Sequence, residues 1–183
     1  LFRTLYESTG DAVMTLDETG FSDCNPMALS MFGCATKEEF CSLHPADLSP
    51  SEQPDGRDSM TAANERIATA MKEGSNRFEW VHKRKDTGES FPAEVLLSAM
   101  ELEGKQFLQA TVRDITERMR AEGERERSRR TFQKILESMP VGVAIIGEDK
   151  VVRQVNLAAL ALMGCDSEEQ VVGRECHDTL CSA

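Results

Sequence analysis

Apolar residues recur every three or four positions in three segments of the first half of this chain. These segments are residues 1–8, 26–32 and 58–73, and a glycine follows each of them within two positions. Such spacing places the apolar side chains on one helical face, and a terminal glycine accommodates the left-handed backbone that closes many helices. The pattern therefore predicts three helices. Residues 43–56 hold three prolines and are predicted to form a loop.

Alternation of apolar and polar residues with a period of two predicts five strands. Two strands are expected early and three late, over residues 12–17, 21–24, 77–85, 91–102 and 107–116. Short turns join the three late strands into consecutive hairpins, and consecutive hairpins form an antiparallel sheet. Because the main helices lie between the two groups of strands in sequence, we expect an α+β domain with helices on one face of the sheet.

The same pattern begins again in the last third of the chain. Residues 156–165 match residues 25–34, and residues 143–146 match residues 13–16, with an offset of about 130. A repeat of this length is typical of tandem domains rather than of a solenoid. The second copy reaches Ala183 without equivalents of the longest helix and the last three strands, so we expect a partial domain there.

Charged residues dominate the segment between the two copies. Residues 117–139 are rich in the strong helix formers Glu, Arg and Ala, whereas Gly123 weakens a helix by about 1 kcal/mol relative to Ala. Apolar residues lie at or near the two ends of this segment, at Ile115, Met119, Phe132, Ile135, Leu136 and Met139. No heptad repeat connects them, which argues against a coiled coil. We predict a domain at 1–116, a linker helix at 117–139 anchored at both ends, and a partial domain at 140–183.

Composition and charge exclude several classes of partner. The formal net charge is −11, whereas proteins that bind nucleic acids or anionic membranes present basic surfaces. No apolar run approaches the ~20 residues of a membrane span. Cys34 and Cys165 occupy matching positions of the repeat, which is typical of packed free thiols in a reducing compartment. We expect a cytoplasmic segment, whether or not a longer parent protein is anchored in a membrane.

Four motifs, in this order along the chain, resemble the PAS domain with its C-terminal PAC portion. The pattern Asn-x-x-Ala followed by Gly occurs at Asn25, Ala28 and Gly33, and again at Asn156, Ala159 and Gly164. The other motifs are residues 78–86 with Gly88, residues 91–95, and residues 112–118, which contain Asp-Ile-Thr. The first copy resembles a whole PAS domain, and the second resembles the front half of another.

This resemblance implies a fold and a class of function. The fold is a five-stranded antiparallel PAS sheet with helices on one face, followed by a long linker helix and a partial second PAS domain. Such segments usually serve sensor histidine kinases, and less often diguanylate cyclases. The implied function is to sense a small ligand and relay its state through the linker helix, in a homodimer. A ligand-free PAS dimerisation module is the alternative.

The resemblance also implies a cavity between the sheet and its helices. Candidates for its lining are the inner aromatic and methionine residues Met27, Met31, Phe32, Phe78, Trp80 and Phe91. The same residue types fill ordinary cores, so plain core packing is the simpler interpretation. The exit motif, formed by Asp114, Ile115 and Thr116, is expected to relay the signal into the linker helix.

Histidine and cysteine positions bear on cofactors. Haem-binding PAS domains typically carry a histidine on the long helix, and residues 58–73 have none. The cysteine motif of flavin photoreceptors is also missing from the sequence, so neither haem nor flavin is supported. We expect His44 in a solvated loop and His82 at the surface, because Lys83 and Arg84 follow it.

One cluster has the composition of a metal site. Cys176, His177 and Cys181 could supply three ligands, but their spacing matches neither Cys-x-x-Cys nor the haem-attachment motif. Ordinary packing and surface roles are favoured, so we assign no metal. No hydrolase, Walker, kinase or cyclase motif occurs, and we therefore expect no catalytic residues in this segment, although a parent chain would be a protein-histidine kinase.

Overall fold

The computed structural model describes residues 6–7, 9–17, 20–102 and 104–180. It divides into two compact units, residues 1–119 and 120–183. The helix predicted over residues 1–8 lies mostly outside the described residues. Among the helices of the described ranges, none has both the length and the apolar character that a bilayer crossing requires.

The first unit contains a five-stranded antiparallel sheet, as the alternation predicts. Its strands β1 to β5 are Ala12–Asp17, Gly20–Cys24, Ser75–Lys83, Ser90–Leu102 and Lys105–Asp114. Their order across the sheet is β2-β1-β5-β4-β3. Pairing between β1 and β5 joins the early and late groups of strands in the middle of the sheet. The last strand ends at Asp114, so the predicted end at residue 116 is wrong.

The strand register brings apolar residues together on one face of the sheet. Ala12 and Val95 both lie opposite Val112 of the central strand, and all three are buried. Since side chains alternate between faces, the intervening residues point outward, where Arg113 binds Asp11 through two hydrogen bonds of 2.8 and 2.6 Å. The core of the first unit therefore lies on a single face of the sheet.

Helices pack on that apolar face. They are α1 (Pro26–Phe32), α2 (Lys37–Cys41), a 3-10 helix (Pro45–Leu48) and α3 (Ser59–Glu73). The 3-10 helix corrects the prediction of a plain loop over residues 43–56. His44 caps it, because its Nδ1 accepts from the Ala46 N–H at 3.2 Å while the Asp47 carboxylate accepts from the His44 N–H at 2.8 Å. Pro45 starts this helix, since proline suits a first helical position.

Asn25 fixes both the start of α1 and the path of the chain around it. Its Oδ1 accepts from the backbone N–H groups of Val13 and Ala28 at 3.0 and 2.9 Å. Its Nδ2 donates to the carbonyl oxygens of Tyr6 and Asp11 at 3.1 and 3.0 Å. The side chain is buried and uses both donors and both acceptor positions inside the protein.

The second unit contains a two-stranded antiparallel sheet with short helices. In chain order the elements are the long helix α4 (Thr116–Ser138, which begins in the first unit), β6 (Ala144–Ile146), β7 (Val152–Val155), α5 (Leu157–Met163), a 3-10 helix (Glu168–Gln170) and α6 (Cys176–Leu180). The bounds of α4 lie within one residue of the predicted linker helix, 117–139.

Asn156 makes the same four hydrogen bonds as Asn25. Its Oδ1 accepts from the N–H groups of Val143 and Ala159, both at 2.9 Å. Its Nδ2 donates to the carbonyl oxygens of Leu136 and Val141 at 2.9 and 2.8 Å. The repeat seen in the sequence is therefore a repeat of hydrogen bonding as well.

The apolar residues near the ends of α4 are only partly buried. Ile115 and Leu136 are 2% and 7% exposed, whereas Met119, Phe132 and Ile135 are 49%, 51% and 49% exposed. The anchoring role predicted for Met119, Phe132 and Ile135 is therefore wrong. Helical spacing identifies a shared face but does not decide which of its residues meets a core.

Two cysteines follow the glycines that end α1 and α5. Gly33 and Gly164 adopt left-handed backbone with φ of 70° and 67°, which glycine tolerates without a Cβ clash. Cys34 after the first glycine is buried, while Cys165 after the second is half-buried. The repeat therefore places one residue type in two different environments.

Candidate functional site

A cavity of about 60 Å³ lies between the sheet and the helices of the first unit. All five strands of that sheet contribute to its wall, together with α1, α3 and the 3-10 helix Pro45–Leu48. The lining residues are Met14, Leu16, Phe21, Phe32, Pro45, Leu48, Ser49, Ala63, Ile67, Phe78, Trp80, His82, Val95, Leu97, Ala110 and Val112. We call this space the central cavity.

Half of the predicted lining residues reach the central cavity. Phe32, Phe78 and Trp80 line it. The remaining three, in the described structure, belong to the surrounding core instead: Met27, Met31 and Phe91. Strand alternation identified the correct face, but it gives no information on how far along a strand the empty space extends.

Two of the three polar side chains that line the central cavity are satisfied within the protein. The Trp80 Nε1–H donates to Ser49 Oγ at 3.0 Å, and the Ser49 hydroxyl donates to the Pro45 carbonyl at 3.4 Å. These bonds attach β3 to the chain that follows the 3-10 helix. The wall is otherwise apolar except at His82.

His82 is half-buried, with its ring packed against the core of the first unit instead of standing free at the surface, which corrects the prediction from the sequence. Its ring packs edge-on against Phe32, with ring centres 5.1 Å apart, and lies 5.8 Å from the ring of Phe91. The Nδ1 atom is 3.0 Å from the Leu48 carbonyl oxygen. The Nε2 atom is shielded from solvent and has no hydrogen-bond partner among the described residues. Burial lowers the pKa of His82 from 6.5 to about 4, so the ring is neutral at pH 7.

A second and larger space lies beside the central cavity. This outer cavity has a volume of about 320 Å³ and shares Leu16, Pro45 and Ile67 with the central one. His44 and Asn64 also line it, so it is more polar. The two cavities therefore adjoin each other along these three residues.

Gln53, which sequence reasoning missed, fixes the chain beside β3. Its Oε1 accepts from the Val81 N–H at 2.9 Å, and its Nε2 donates to the Val81 carbonyl at 3.2 Å and to Ser59 Oγ at 2.8 Å. The side chain thus pairs with an edge strand as a strand backbone would. A glutamine in a proline-rich segment carries no local sign of this role, because its partner lies 28 residues away.

The exit motif connects the end of β5 with the start of α4. Asp114 Oδ1 accepts from the Thr116 N–H at 2.9 Å, and the Ile115 N–H donates to the Pro92 carbonyl at 3.1 Å. Ile115 is buried, so the turn between strand and helix is attached to the core. The Thr116 hydroxyl is shielded from solvent without a hydrogen-bond partner in the described part of the chain.

Arg84 connects the exit motif with the end of α1. Its guanidinium donates to Asp114 Oδ2 at 3.1 Å and to the carbonyl of Met31, and it lies 4.5 Å from the centre of the Phe91 ring. Met31 precedes Phe32, which lines the central cavity. One side chain therefore contacts α1 beside the cavity and Asp114, which ends β5 just before α4 begins.

The metal candidates do not form a defined site. His177 is exposed and its Nδ1 lies 3.7 Å from an Asp178 carboxylate oxygen, while Cys176 is half-buried. Cys181 lies outside the described residues. Within the described ranges, no group of three His, Cys, Asp or Glu side chains is placed to hold a metal ion.

Solved PAS domains have a similar fold. A PAS domain from a two-component sensor histidine kinase has a TM-score of 0.50 and 17% identity over 62% of this chain and 92% of its own. The PAS domain of an HTR-like protein from Haloarcula marismortui has a TM-score of 0.51 and 22% identity over 62% and 88%. A PAS domain of a LuxR-family regulator from Burkholderia thailandensis, in complex with ethanol, has 0.50 and 20% over 63% and 97%. No curated protein matches the chain.

Family models give the same assignment from the sequence. A PAS domain model matches residues 10–117, more than half of the chain, and a second PAS domain model matches residues 130–183. The first match covers the five-stranded sheet, the central cavity and the exit motif. The chain therefore belongs to the PAS domain family, with one domain matched in each of its two units.

Proposed function

We propose that this chain is the cytoplasmic sensory segment of a sensor histidine kinase, in which a small molecule in the central cavity changes the state of helix α4. The observation that carries the proposal is the position of Arg84. It binds the Met31 carbonyl next to the cavity residue Phe32, and it binds Asp114 in the exit motif. A ligand that displaces Phe32 would shift the end of α1. That shift would move Arg84, which binds both the Met31 carbonyl and Asp114.

The geometry of the exit motif supports transmission into α4. Asp114 has two partners at once, because one carboxylate oxygen binds Arg84 and the other binds the Thr116 N–H in the first turn of the helix. In addition, Arg118 lies 3.3 Å from Glu79 and 3.7 Å from Glu94 on the outer face of the sheet. A change in either strand or in Arg84 would therefore alter the contacts that orient the first turn.

Substitutions in the full-length parent protein test this relay. Asp114→Asn keeps an acceptor for the Thr116 N–H but loses the charge that binds Arg84, and Arg84→Gln removes the cation. We expect both variants to flatten the response of kinase output to its signal. Asp11→Asn is the matched control, since it removes the outer-face ion pair with Arg113 and leaves the relay intact. A normal response of Arg84→Gln would contradict the proposal.

A ligand-free dimerisation module is the second candidate. The exposed apolar side chains of Phe132 and Ile135 on α4 favour it, because such residues at helical spacing are a common basis of helix pairing. Phe132→Ser together with Ile135→Ser should then convert a dimer into a monomer in light scattering. Native mass spectrometry distinguishes the two candidates, since only the sensor should carry a bound small molecule.

A further inference from the structure

One side of β3 carries backbone groups that the five-stranded sheet does not use. β3 is the last strand in the order β2-β1-β5-β4-β3, so it pairs with another strand on one side only. Along an antiparallel pair, successive residues direct their N–H and carbonyl groups alternately towards the partner strand and away from it. Val81 directs both groups away from β4, because Gln53 binds them and because the residue opposite, Pro92, has no N–H to offer. The odd-numbered residues of β3 therefore face the outer edge of the sheet.

Two residues of this edge, Arg77 and Glu79, have open backbone groups. Within the parts of the chain that the structure describes, no group bonds to the backbone N–H or carbonyl of either residue. Their side chains lie on the outer face of the sheet and are 66% and 69% exposed. We call this two-residue stretch the free edge of β3. Gln53 bounds it at Val81, and the left-handed Gly74, which ends α3, bounds it at the start of the strand. An open edge of this kind is a template for a further strand.

The free edge of β3 is complementary to a second copy of itself. When two copies pair in antiparallel fashion about a two-fold axis at Phe78, Arg77 of each copy lies opposite Glu79 of the other. Side chains in such positions have Cβ atoms roughly 5 Å apart, so the opposite charges attract each other. The same register lets the N–H and carbonyl groups of both residues bond to those of the other copy. Charge and backbone geometry thus favour one and the same pairing.

Other registers of the same pairing are less favourable. An axis at residue 77 places Arg77 opposite its own counterpart, and an axis at residue 79 does the same with Glu79, so like charges meet. A shift towards Val81 needs backbone groups that Gln53 already binds. A shift towards Ser75 places Arg77 opposite that uncharged residue and loses the charge pairs. The residues around the free edge therefore select the register with its axis at residue 78.

We propose that the free edge of β3 is an interface for a second copy of this chain, in which β3 pairs with β3 about a two-fold axis at Phe78. Four backbone hydrogen bonds and two charge pairs make a small interface, so we expect reversible association with a Kd on the order of 0.1 mM. Glu79 also lies 3.3 Å from Arg118, which places this interface beside the first turn of α4. The inference requires no ligand and involves a surface different from the exposed face of α4.

Charge reversal tests the predicted register. Arg77→Glu and Glu79→Arg each turn both symmetric charge pairs from attraction into repulsion, so each variant alone should associate at least about tenfold more weakly than wild type. In a mixed pair of the two variants, every reversed position again faces an opposite charge. An equimolar mixture should therefore associate with a Kd within about threefold of the wild-type value. Sedimentation equilibrium of the whole 183-residue chain, up to about 1 mM protein, measures these constants.

Arg113→Glu is the matched control. It changes the net charge by the same amount as Arg77→Glu and lies on the same outer face of the sheet, but in the central strand β5 instead of the edge strand. It should associate like wild type. Loss of association in this control with wild-type behaviour of Arg77→Glu would indicate packing between the outer faces of two sheets and would overturn pairing through the edge.

Amide hydrogen exchange of the wild-type chain tests the backbone hydrogen bonds directly, and it decides the matter even if a variant does not fold. At protein concentrations well above the Kd, exchange of the Arg77 and Glu79 N–H groups should slow by at least about fivefold relative to dilute protein. The N–H groups of Phe78 and Trp80 face β4 and serve as internal references, because they should exchange slowly at both concentrations.

Weaker association of both single variants, its recovery in their mixture and slower exchange at residues 77 and 79 are the supporting results. A chain that stays monomeric at 1 mM protein, association that neither charge reversal changes, or unchanged exchange at residues 77 and 79 would each overturn the inference. Association that only Phe132→Ser with Ile135→Ser abolishes would overturn it as well, in favour of pairing through α4. None of these outcomes bears on a ligand in the central cavity, so failure here leaves the sensory proposal standing.

Discussion

The two units share one local arrangement, which we call the frame: a buried asparagine, its four hydrogen bonds and the short helix that it caps. The units differ in what covers this frame. Asn25 and Asn156 make the same four hydrogen bonds, and each caps a seven-residue helix that ends in a left-handed glycine. Yet Met31 is 7% exposed, whereas its counterpart Leu162 is 79% exposed. The first unit covers this frame with β3, β4 and β5, while the described part of the second unit pairs only two strands.

This difference shows that the frame and the cavity have separate origins. The frame depends on contacts within about 30 residues of sequence and forms in both units. The central cavity needs walls from β3, β4 and β5, so it exists only where those strands complete the sheet. The proposed ligand site therefore depends on strands of the first unit that have no counterpart in the described second unit.

The largest expected effect comes from removing the shared asparagines. Asn25→Ala and Asn156→Ala each leave two N–H groups and two carbonyls without their partner, which should cost roughly 3–5 kcal/mol. The fluorescence of Trp80, the single tryptophan, reports unfolding of the first unit, and amide exchange of residues 143–160 reports the second. If the losses of unfolding free energy in the two variants differ by more than about twofold, the two frames are not equivalent.

A pH dependence should follow from His82 in the first unit. Its pKa is about 4 in the folded state and near 6.5 when unfolded, so the unfolded chain binds a proton first as the pH falls. Stability should be full above pH 6.5 and decline by about 3 kcal/mol towards pH 4. Denaturation followed by Trp80 fluorescence measures this, and His82→Phe should remove the decline in that window.

Ion-paired carboxylates should cause a separate loss of folding stability at lower pH. Hydrogen bonds and the charge of Arg113 lower the pKa of Asp11, and those of Arg77 lower the pKa of Glu94. These carboxylates contribute stability that is present above their ordinary pKa and is lost as pH falls through the lowered value. A wild-type stability curve that stays flat from pH 6.5 down to pH 4.5 would argue against the lowered pKa of His82.

Gly33 and Gly164, which end α1 and α5, allow a matched comparison in which the expected changes in stability are smaller. Alanine at either position must adopt left-handed backbone, at a cost of about 1–2 kcal/mol. At Gly33 the new Cβ would also collide with the Asp86 carboxylate, whereas no heavy atom of the described residues lies within 4 Å of it at Gly164. Gly33→Ala should therefore cost about 0.5–1 kcal/mol more than Gly164→Ala, as urea denaturation can show. Asp86→Ala should remove that excess.

The smallest effect concerns α4. Gly123 lies in the helix, and an added Cβ meets no described atom within 4 Å, so Gly123→Ala should stabilise the helix by up to about 1 kcal/mol. Amide hydrogen exchange of residues 120–130 should slow by up to about fivefold. An unchanged exchange rate would mean that the helix is already as stable there as its neighbours allow.

Local patterns in the sequence predicted much of the fold. Alternation identified all five strands of the first sheet, and the repeated Asn-x-x-Ala pattern followed by Gly marked the positions that begin and end α1 and α5. The site was harder to predict from the sequence, because its decisive contacts join residues that lie far apart along the chain. His82 binds Leu48 across 34 positions, and the charges of its neighbours Lys83 and Arg84 suggested a surface position.

Arg84 explains why that suggestion was misleading. Its guanidinium turns back across Phe91 and onto Asp114, so a charged residue covers the core instead of marking the surface. The unpaired state of His82 Nε2 also depends on which groups fail to approach it. Such an absence is a property of the folded packing and cannot be deduced from any short stretch of sequence.

The matching cysteines allow opening of the first unit to be followed by thiol alkylation. A thiol reacts with alkylating reagents as the thiolate, and burial raises the pKa of the Cys34 thiol, so Cys34 must become exposed before it reacts. Cys165 occupies the equivalent position in a half-buried setting and should react sooner. The alkylation rate of Cys34 thus reports how often the first unit opens, and Cys165 serves as a partly exposed reference thiol in the same molecule.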